Sequence, residues 1–263
     1  MTSPLLLFVH IPKTAGTTTW YVLRRQYPRD SVLRLKTPNY AQNALDVQAK
    51  LEADTGELSV VGGHVPFGFH RFTQRPYAYF TLLREPTERV MSDYYRIIRQ
   101  PAHPQHIEFT QGKVSLKEGL AQMGRNISVL FLAGENPWEI QATAEHLKKA
   151  KQVLHDEMRV VGLTERFDQS LMLMQQTFGW KTPFYQMKNV ARNRPTEISP
   201  EAYRLAAELN ALDVELYEYA VTLFDAQWSE NRQQLEPRLR RFQWLLPWYQ
   251  RWQSLRNKSS SED

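Results

Sequence analysis

The chain alternates short apolar runs with longer amphipathic ones. Residues 4–10 (Pro-Leu-Leu-Leu-Phe-Val-His) are almost continuously apolar, the pattern of a strand buried on both faces. Residues 11–16 predict a turn. Residues 17–27 take up helical spacing, with Trp20, Leu23 and Tyr27 on one face. The same reading predicts strands at 31–35, 58–62, 77–83 and 159–163, and helices over 40–53, 138–154 and 167–178. Leu171, Met174 and Phe178 form the inner face of the last of these. Pro86 opens a further helix to about Arg99, at a position where proline is tolerated. Residues 100–112 and the basic stretch 188–199 read as loops, 200–224 as one or two helices, and 259–263 as a frayed tail. Strands alternating with helices predict an α/β fold of three layers, a central parallel sheet flanked by helices. In such sheets ligands sit beyond the carboxyl ends of the strands.

Composition narrows the chemistry. The 263 residues are 42% hydrophobic and 23% charged, which fits one large globular domain and argues against disorder. A net charge of +5 suits an anionic ligand, a polyanion or a membrane surface, and is small enough to mean nothing. There is no cysteine, which excludes disulfides, thiolate catalysis and Cys-ligated zinc. The apolar start at Leu5–Val9 is too short to cross a bilayer, and no basic segment precedes it. The expectation is a cytoplasmic protein without signal peptide or transmembrane segment.

Two strand ends carry unusual residues, and a third carries a histidine. The first strand runs into His10-Ile11-Pro12-Lys13-Thr14-Ala15-Gly16-Thr17-Thr18 and then a helix. Amides at a helix start, aided by its dipole, bind anions. Gly16 lets the backbone approach an oxyanion, Lys13 adds a mobile charge, and Thr17 and Thr18 add hydroxyls. Lys13-Thr14 has the look of a nucleotide phosphate loop, but both upstream glycines of the Walker pattern are missing. The 77–83 strand ends at Arg84, and Ser92 follows two turns into the next helix. An arginine fork and a hydroxyl suit a terminal phosphate. The 58–62 strand leads through Gly62-Gly63 to His64, and a neutral histidine is a proton acceptor near pH 7. His70 is a weaker candidate for that role, and His10 reads as buried structure.

The loop His10–Thr18 resembles the 5'-phosphosulfate loop of the sulfotransferase superfamily, most of all the branch with the heparan and uronyl 2-O-sulfotransferases. The resemblance spans roughly residues 4–225 and implies a P-loop-like fold. It implies the donor PAPS (3'-phosphoadenosine 5'-phosphosulfate), with PAP as product and no metal. Lys13, Thr14, Ala15, Gly16, Thr17 and Thr18 would line the 5'-phosphosulfate, and Lys13 would neutralise the leaving phosphate. Arg84-Glu85-Pro86-Thr87-Glu88-Arg89-Val90-Met91-Ser92-Asp93-Tyr94-Tyr95 resembles the family's 3'-phosphate element. Arg84 and Ser92 fall on its ligands, while Arg89 supports the fold through a carboxylate. Gly63-His64-Val65 resembles the segment holding the catalytic histidine. Lys188, Arg192 and Arg194 fall in a late basic loop that closes over the nucleotide.

The implied activity is in-line transfer of a sulfuryl group from PAPS to an acceptor hydroxyl, on a carbohydrate or glycolipid, with His64 as base. Nucleic acid is not an expected partner, and the oligomeric state is not legible. With no cysteine, leader or anchor, a bacterial enzyme is expected rather than an animal Golgi enzyme. Two rivals stay open. A P-loop kinase would need ATP, Mg²⁺ and a Walker-type acid where this chain has Arg84. A non-catalytic module would hold a polyanion and need no His64.

The resemblance fades at 100–125 and ends near 226. Residues 1–225 are expected as the sulfotransferase domain, and 226–263 as a basic, Trp- and Arg-rich helical extension with a frayed tail. Such a segment lies on an anionic membrane as a peripheral contact, or docks on the domain with its arginines in water. Docking is favoured, because Pro247 would kink a helix lying on a membrane.

Overall fold

The computed structural model describes residues 4–35, 40–111, 114–123, 125–186 and 199–259. Strand β1 is Leu5–Val9, buried at all five positions. Helix α1 (Gly16–Gln26) follows the first turn, then β2 (Val32–Leu35), α2 (Tyr40–Glu52), β3 (Val60–Gly63) and β4 (Tyr77–Leu83). Helices α3 (Pro86–Arg99), α4 (His106–Thr110), α5 (Leu116–Gln122), α6 (Ile127–Ala133) and α7 (Ala144–Asp156) come next. Strand β5 (Met158–Leu163), α8 (Phe167–Phe178), α9 (Pro200–Leu209) and α10 (Ala211–Ser259) complete the described elements.

The five strands form one parallel sheet in the order β2-β3-β1-β4-β5, flanked by helices as expected. The chain leaves β1 toward β2 on one side and leaves β4 toward β5 on the other. The reversal falls between β1 and β4, and in such sheets ligands bind beyond the carboxyl ends of the strands at that point. Register sets the strand ends level: Val9 lies beside Gly63 and Thr81, and Gly63 beside Leu35. Thr81 Oγ1 donates to the Val9 carbonyl over 2.9 Å, fastening β4 to the end of β1.

A main core centres on the sheet. It includes Leu5–Val9, Trp20, Tyr79, Phe80, Leu171–Met174 and, from α10, Phe224, Trp228, Leu235, Leu239, Phe242 and Leu246. A second, smaller core joins Val90, Met91, Tyr94 and Ile97 of α3 to Phe109, Leu120, Met123, Ala202 and Ala206.

A buried polar joint secures α3 to α6 and α10. Arg89 Nε is 3.9 Å from Asp213 Oδ2, and both side chains are at most 1% exposed. The Asp213 carboxylate also accepts from the Ser128 and Val129 amides at the start of α6, over 3.1 and 2.9 Å. Asn126 Oδ1 accepts in return from the Leu212 and Asp213 amides. This is the supporting role expected of Arg89.

Several boundaries differ from the sequence reading. The expected loop at 100–112 contains α4, and α5 and α6 were not anticipated. The helix expected from Trp138 starts at Ala144, because Thr143 and His146 form a capping box there. The C-terminal helices are two, and α10 passes through residues 225 and 226 without interruption. Among the described residues no helix is long and apolar enough to cross a membrane.

Candidate active site

The loop after β1 is shaped by two residues in the left-handed region, Lys13 (φ 71°) and Ala15 (φ 58°). Such backbone is costly for residues with a side chain and persists only where the surrounding structure holds it. Thr14 stabilises it from within: its buried hydroxyl donates to the Ile11 carbonyl over 2.8 Å. The hydroxyl proton of Thr14 is thus spent inside the loop. Ala15 caps α1 with no side-chain hydrogen bond, and the first turn holds no acid. The Thr18 and Thr19 amides donate to the Ala15 carbonyl, which leaves the earlier amides of Gly16 and Thr17 as the loop's helix-start donors, and Thr17 stands exposed beside half-buried Thr18. Gly16 is required by packing, since a Cβ there would lie 1.6 Å from His10 Nε2.

His10 and His64 form the second part of the site. Rings stack outward from the core in a column: Phe80 on Phe8 at 4.5 Å, Phe8 on His10 at 5.1 Å, His10 on His64 at 4.3 Å. Trp20 Nε1 points at His10 Nδ1 over 3.4 Å. The Nδ1 of His64 donates to the His10 carbonyl over 2.8 Å, and Asn43 of α2 donates to the His64 carbonyl at 3.5 Å. Burial holds His64 below the ordinary histidine range; the His10 carbonyl opposes this, and the positive charge of Arg34 adds to it. His10 is held well below that range, first by burial and then by His64 and Arg34. Both shifts favour the neutral imidazole.

The third part comes from the end of β4 and from α3. Glu85 caps α3 by accepting from the Thr87 and Glu88 amides, with Pro86 in the first turn. Arg84 Nη2 lies 3.2 Å from Glu88 Oε2, and its Nη1 reaches the Lys13 carbonyl at 3.5 Å. Its buried Nε has no hydrogen-bond partner among the described residues. Half-buried Ser92 stands beside Asp93, which accepts from Arg96 Nε over 2.9 Å. Burial brings the Lys13 ammonium down to about 8; Asp93 opposes that, while Arg96, Arg84 and Arg99 deepen it. Asp93 and Arg96 also act on His64, so the lysine and the histidine share one electrostatic neighbourhood.

Lys13, Arg84 and His64 are thus brought to one end of the sheet, with Ser92 on the helix that walls it. His70 is not. Its ring stacks on Tyr77 at 4.8 Å and its Nδ1 lies 3.2 Å from the Tyr79 hydroxyl, at the amino end of β4. Lys188, Arg192 and Arg194 lie outside the described residues. The sequence reading missed Arg34, whose guanidinium lies 5.4 Å from the Trp20 ring and whose charge reaches both histidines. A charged residue inside a short apolar strand was its available signal. Asn43 gave none.

A surplus of cations over carboxylates, a helix start without an acid and an orphaned arginine nitrogen together fit a multiply charged anion. A family model for the sulfotransferase family matches residues 3–220. Heparan-sulfate 6-O-sulfotransferase 2 of Danio rerio is 29% identical over 296 residues, covering 91% of this chain and 62% of that protein. Heparan-sulfate 6-O-sulfotransferase 1 of Cricetulus griseus is 26% identical over 281 residues, covering 87% of this chain and 69% of that protein. The chain therefore spans less than two thirds of the first of these relatives. Both are named for 6-O sulfation, whereas the loop resemblance pointed to the 2-O branch. The solved structure of mouse sulfotransferase SULT7A1 complexed with PAP covers 92% of this chain and 88% of its own at 12% identity. Its TM-score is 0.38, too loose a likeness to locate a ligand. On the family match across most of its length, the chain belongs to the sulfotransferase family.

Proposed function

We propose that this chain transfers a sulfuryl group from PAPS to a hydroxyl of a carbohydrate acceptor, with His64 as the general base. The observation that carries this reading is the shared anchorage of loop and base: His64 is stacked on, and hydrogen-bonded to, His10 of the Lys13 loop. The donor supplies an activated sulfuryl group on a phosphate leaving group. The loop Lys13–Thr18 suits its 5'-phosphosulfate through amides and the lysine charge, with Thr17 and Thr18 adding hydroxyls. Arg84 and Ser92 suit its 3'-phosphate, the arginine through a nitrogen that otherwise lacks a partner. Lys188, Arg192 and Arg194 are proposed to close over the nucleotide.

A carbonyl can only accept, so His64 carries its proton on Nδ1 and offers a lone pair at Nε2. That nitrogen takes the proton of the acceptor hydroxyl as its oxygen attacks sulfur. The Lys13 ammonium and the loop amides stabilise negative charge gathering on the sulfuryl oxygens and the departing phosphate. A carbohydrate acceptor is supported by the names of the two relatives, both heparan-sulfate enzymes.

The deciding experiment is calorimetric titration of the metal-free protein with PAP, and separately with ATP plus Mg²⁺. Micromolar PAP binding with weak ATP binding is expected. Tight ATP binding without a response to PAP would replace this reading with the kinase. Binding of heparan sulfate without either nucleotide would replace it with the polyanion module.

A further inference from the structure

The last part of α10 has two unlike faces. One docks on the domain: Leu239, Phe242 and Leu246 are buried, Phe184 stacks on Phe242 and Tyr249, and the Tyr249 and Tyr21 hydroxyls meet at 2.6 Å. The opposite face leaves Trp244 69%, Trp248 63%, Trp252 53% and Leu255 69% exposed. Their spacing of four, four and three residues keeps them within a sector of about 80° at 100° per residue. The helix runs through Pro247, so the stripe is continuous. Exposed Arg240, Arg241, Arg251 and Arg256 lie along it, the last with its guanidinium 5.6 Å from the Trp252 ring. From Pro237 to Ser261 the sequence has six basic residues and no acid.

We propose that this face of α10 is a docking surface for a membrane bearing anionic lipids. Indole rings favour the boundary between headgroups and acyl chains, and arginines flanking an apolar stripe suit anionic headgroups. Charge decides against the other occupants. A second copy of the face would set arginines against arginines, since the nearest carboxylate, Glu236, is already shared by Arg232 and Arg240 of its own helix. A glycan chain needs many polar partners for its hydroxyls, whereas this face carries an indole on successive turns, which suits the boundary of a bilayer. The helix lies on the bilayer and does not cross it. The docked face fixes the orientation, because Tyr249 is tied to Tyr21 of α1, the helix that begins at the Lys13 loop.

The test is co-sedimentation of the full chain with phosphatidylcholine vesicles and with mixed phosphatidylcholine–phosphatidylserine vesicles. Sedimentation with the mixed vesicles alone is expected, weakening as salt rises. The triple variant W244S/W248S/W252S should lose it while keeping its helical circular dichroism and its PAP affinity. R241Q and R251Q should each weaken binding about fivefold. Absence of wild-type sedimentation, or equal sedimentation of the triple variant, overturns the proposal. So does a wild-type dimer that the triple variant dissolves without any vesicle binding, or heparin retention that needs the tryptophans when vesicles are ignored. None of these outcomes bears on PAP binding, so the proposal and the sulfotransferase reading fail separately.

Discussion

The Nδ1 of His64 lies 2.8 Å from the carbonyl oxygen of His10, so the proposed base is aimed by the backbone of the Lys13 loop. Burial lowers the pKa of His64 below 6.5. The rate kcat/KM should be flat through neutral pH and fall in acid, with its inflection below that value. An inflection above 6.5 in the pH–rate profile would remove His64 from the role. Stability takes the same sign. His10 and His64 both hold protons less well folded than unfolded, so stability is lost as pH falls below about 6.5. His64→Ala should lower turnover about 10²–10⁴-fold and leave PAP affinity nearly unchanged.

Lys13 is half-buried among arginines, with its ammonium near pKa 8. An anion needs it charged, so PAP affinity in the free protein should decline as pH rises past about 8. Lys13→Ala should cost about 10²–10³ in kcat, with a smaller loss of PAP affinity. Equal losses in single-turnover kinetics and calorimetry would mean the lysine acts on ground-state binding alone.

Arg84 presents a buried nitrogen with no hydrogen-bond partner among the described residues. Arg84→Ala should weaken PAP binding by about 1.5–3 kcal/mol, the range for a hydrogen bond to a charged group. Unchanged affinity by calorimetry would exclude Arg84 from the nucleotide site.

A methyl group at position 16 would collide with the His10 ring. Gly16→Ala should lower Tm and abolish measurable PAP binding. Adding His10→Ala should restore part of the stability, because the collision is gone. A double-mutant cycle measures this, and strict additivity would show that the ring does not constrain residue 16.

Asp213 lies in the joint between α3, α6 and α10, wholly buried. Asp213→Ala leaves Arg89 uncompensated and should destabilise the protein by about 3–5 kcal/mol in denaturant unfolding. Destabilisation below 1 kcal/mol would mean water replaces the carboxylate at no cost.

The sheet was legible because its central strands are nearly pure apolar runs, and Lys13, Arg84 and His64 because each interrupts the chain just past one. Helices α4, α5 and α6 were not, since each is five to seven residues long and held by tertiary contacts rather than by periodicity. The pairing of His10 with His64 was hidden for another reason. It joins residues 54 apart through a backbone carbonyl, and no side-chain pattern encodes that. The two readings of the C-terminal segment, docked or on a membrane, were set as rivals. A single helix satisfies the first with one face and leaves the other open.

Helix α3 links the smaller core to the elements of the main one. Its Arg89 is locked into the joint with α10, while Val90, Met91, Tyr94 and Ile97 carry the smaller core that reaches α4, α5 and α9. The family resemblance fades over residues 100–125, the stretch that holds α4 and α5. Helices α4, α5 and α9 form an annex that is not silent: Tyr203 of α9 donates to Glu88, the carboxylate that pairs with Arg84, and Ser92 rides on α3 itself, so an exchanged segment there is felt at the proposed donor site.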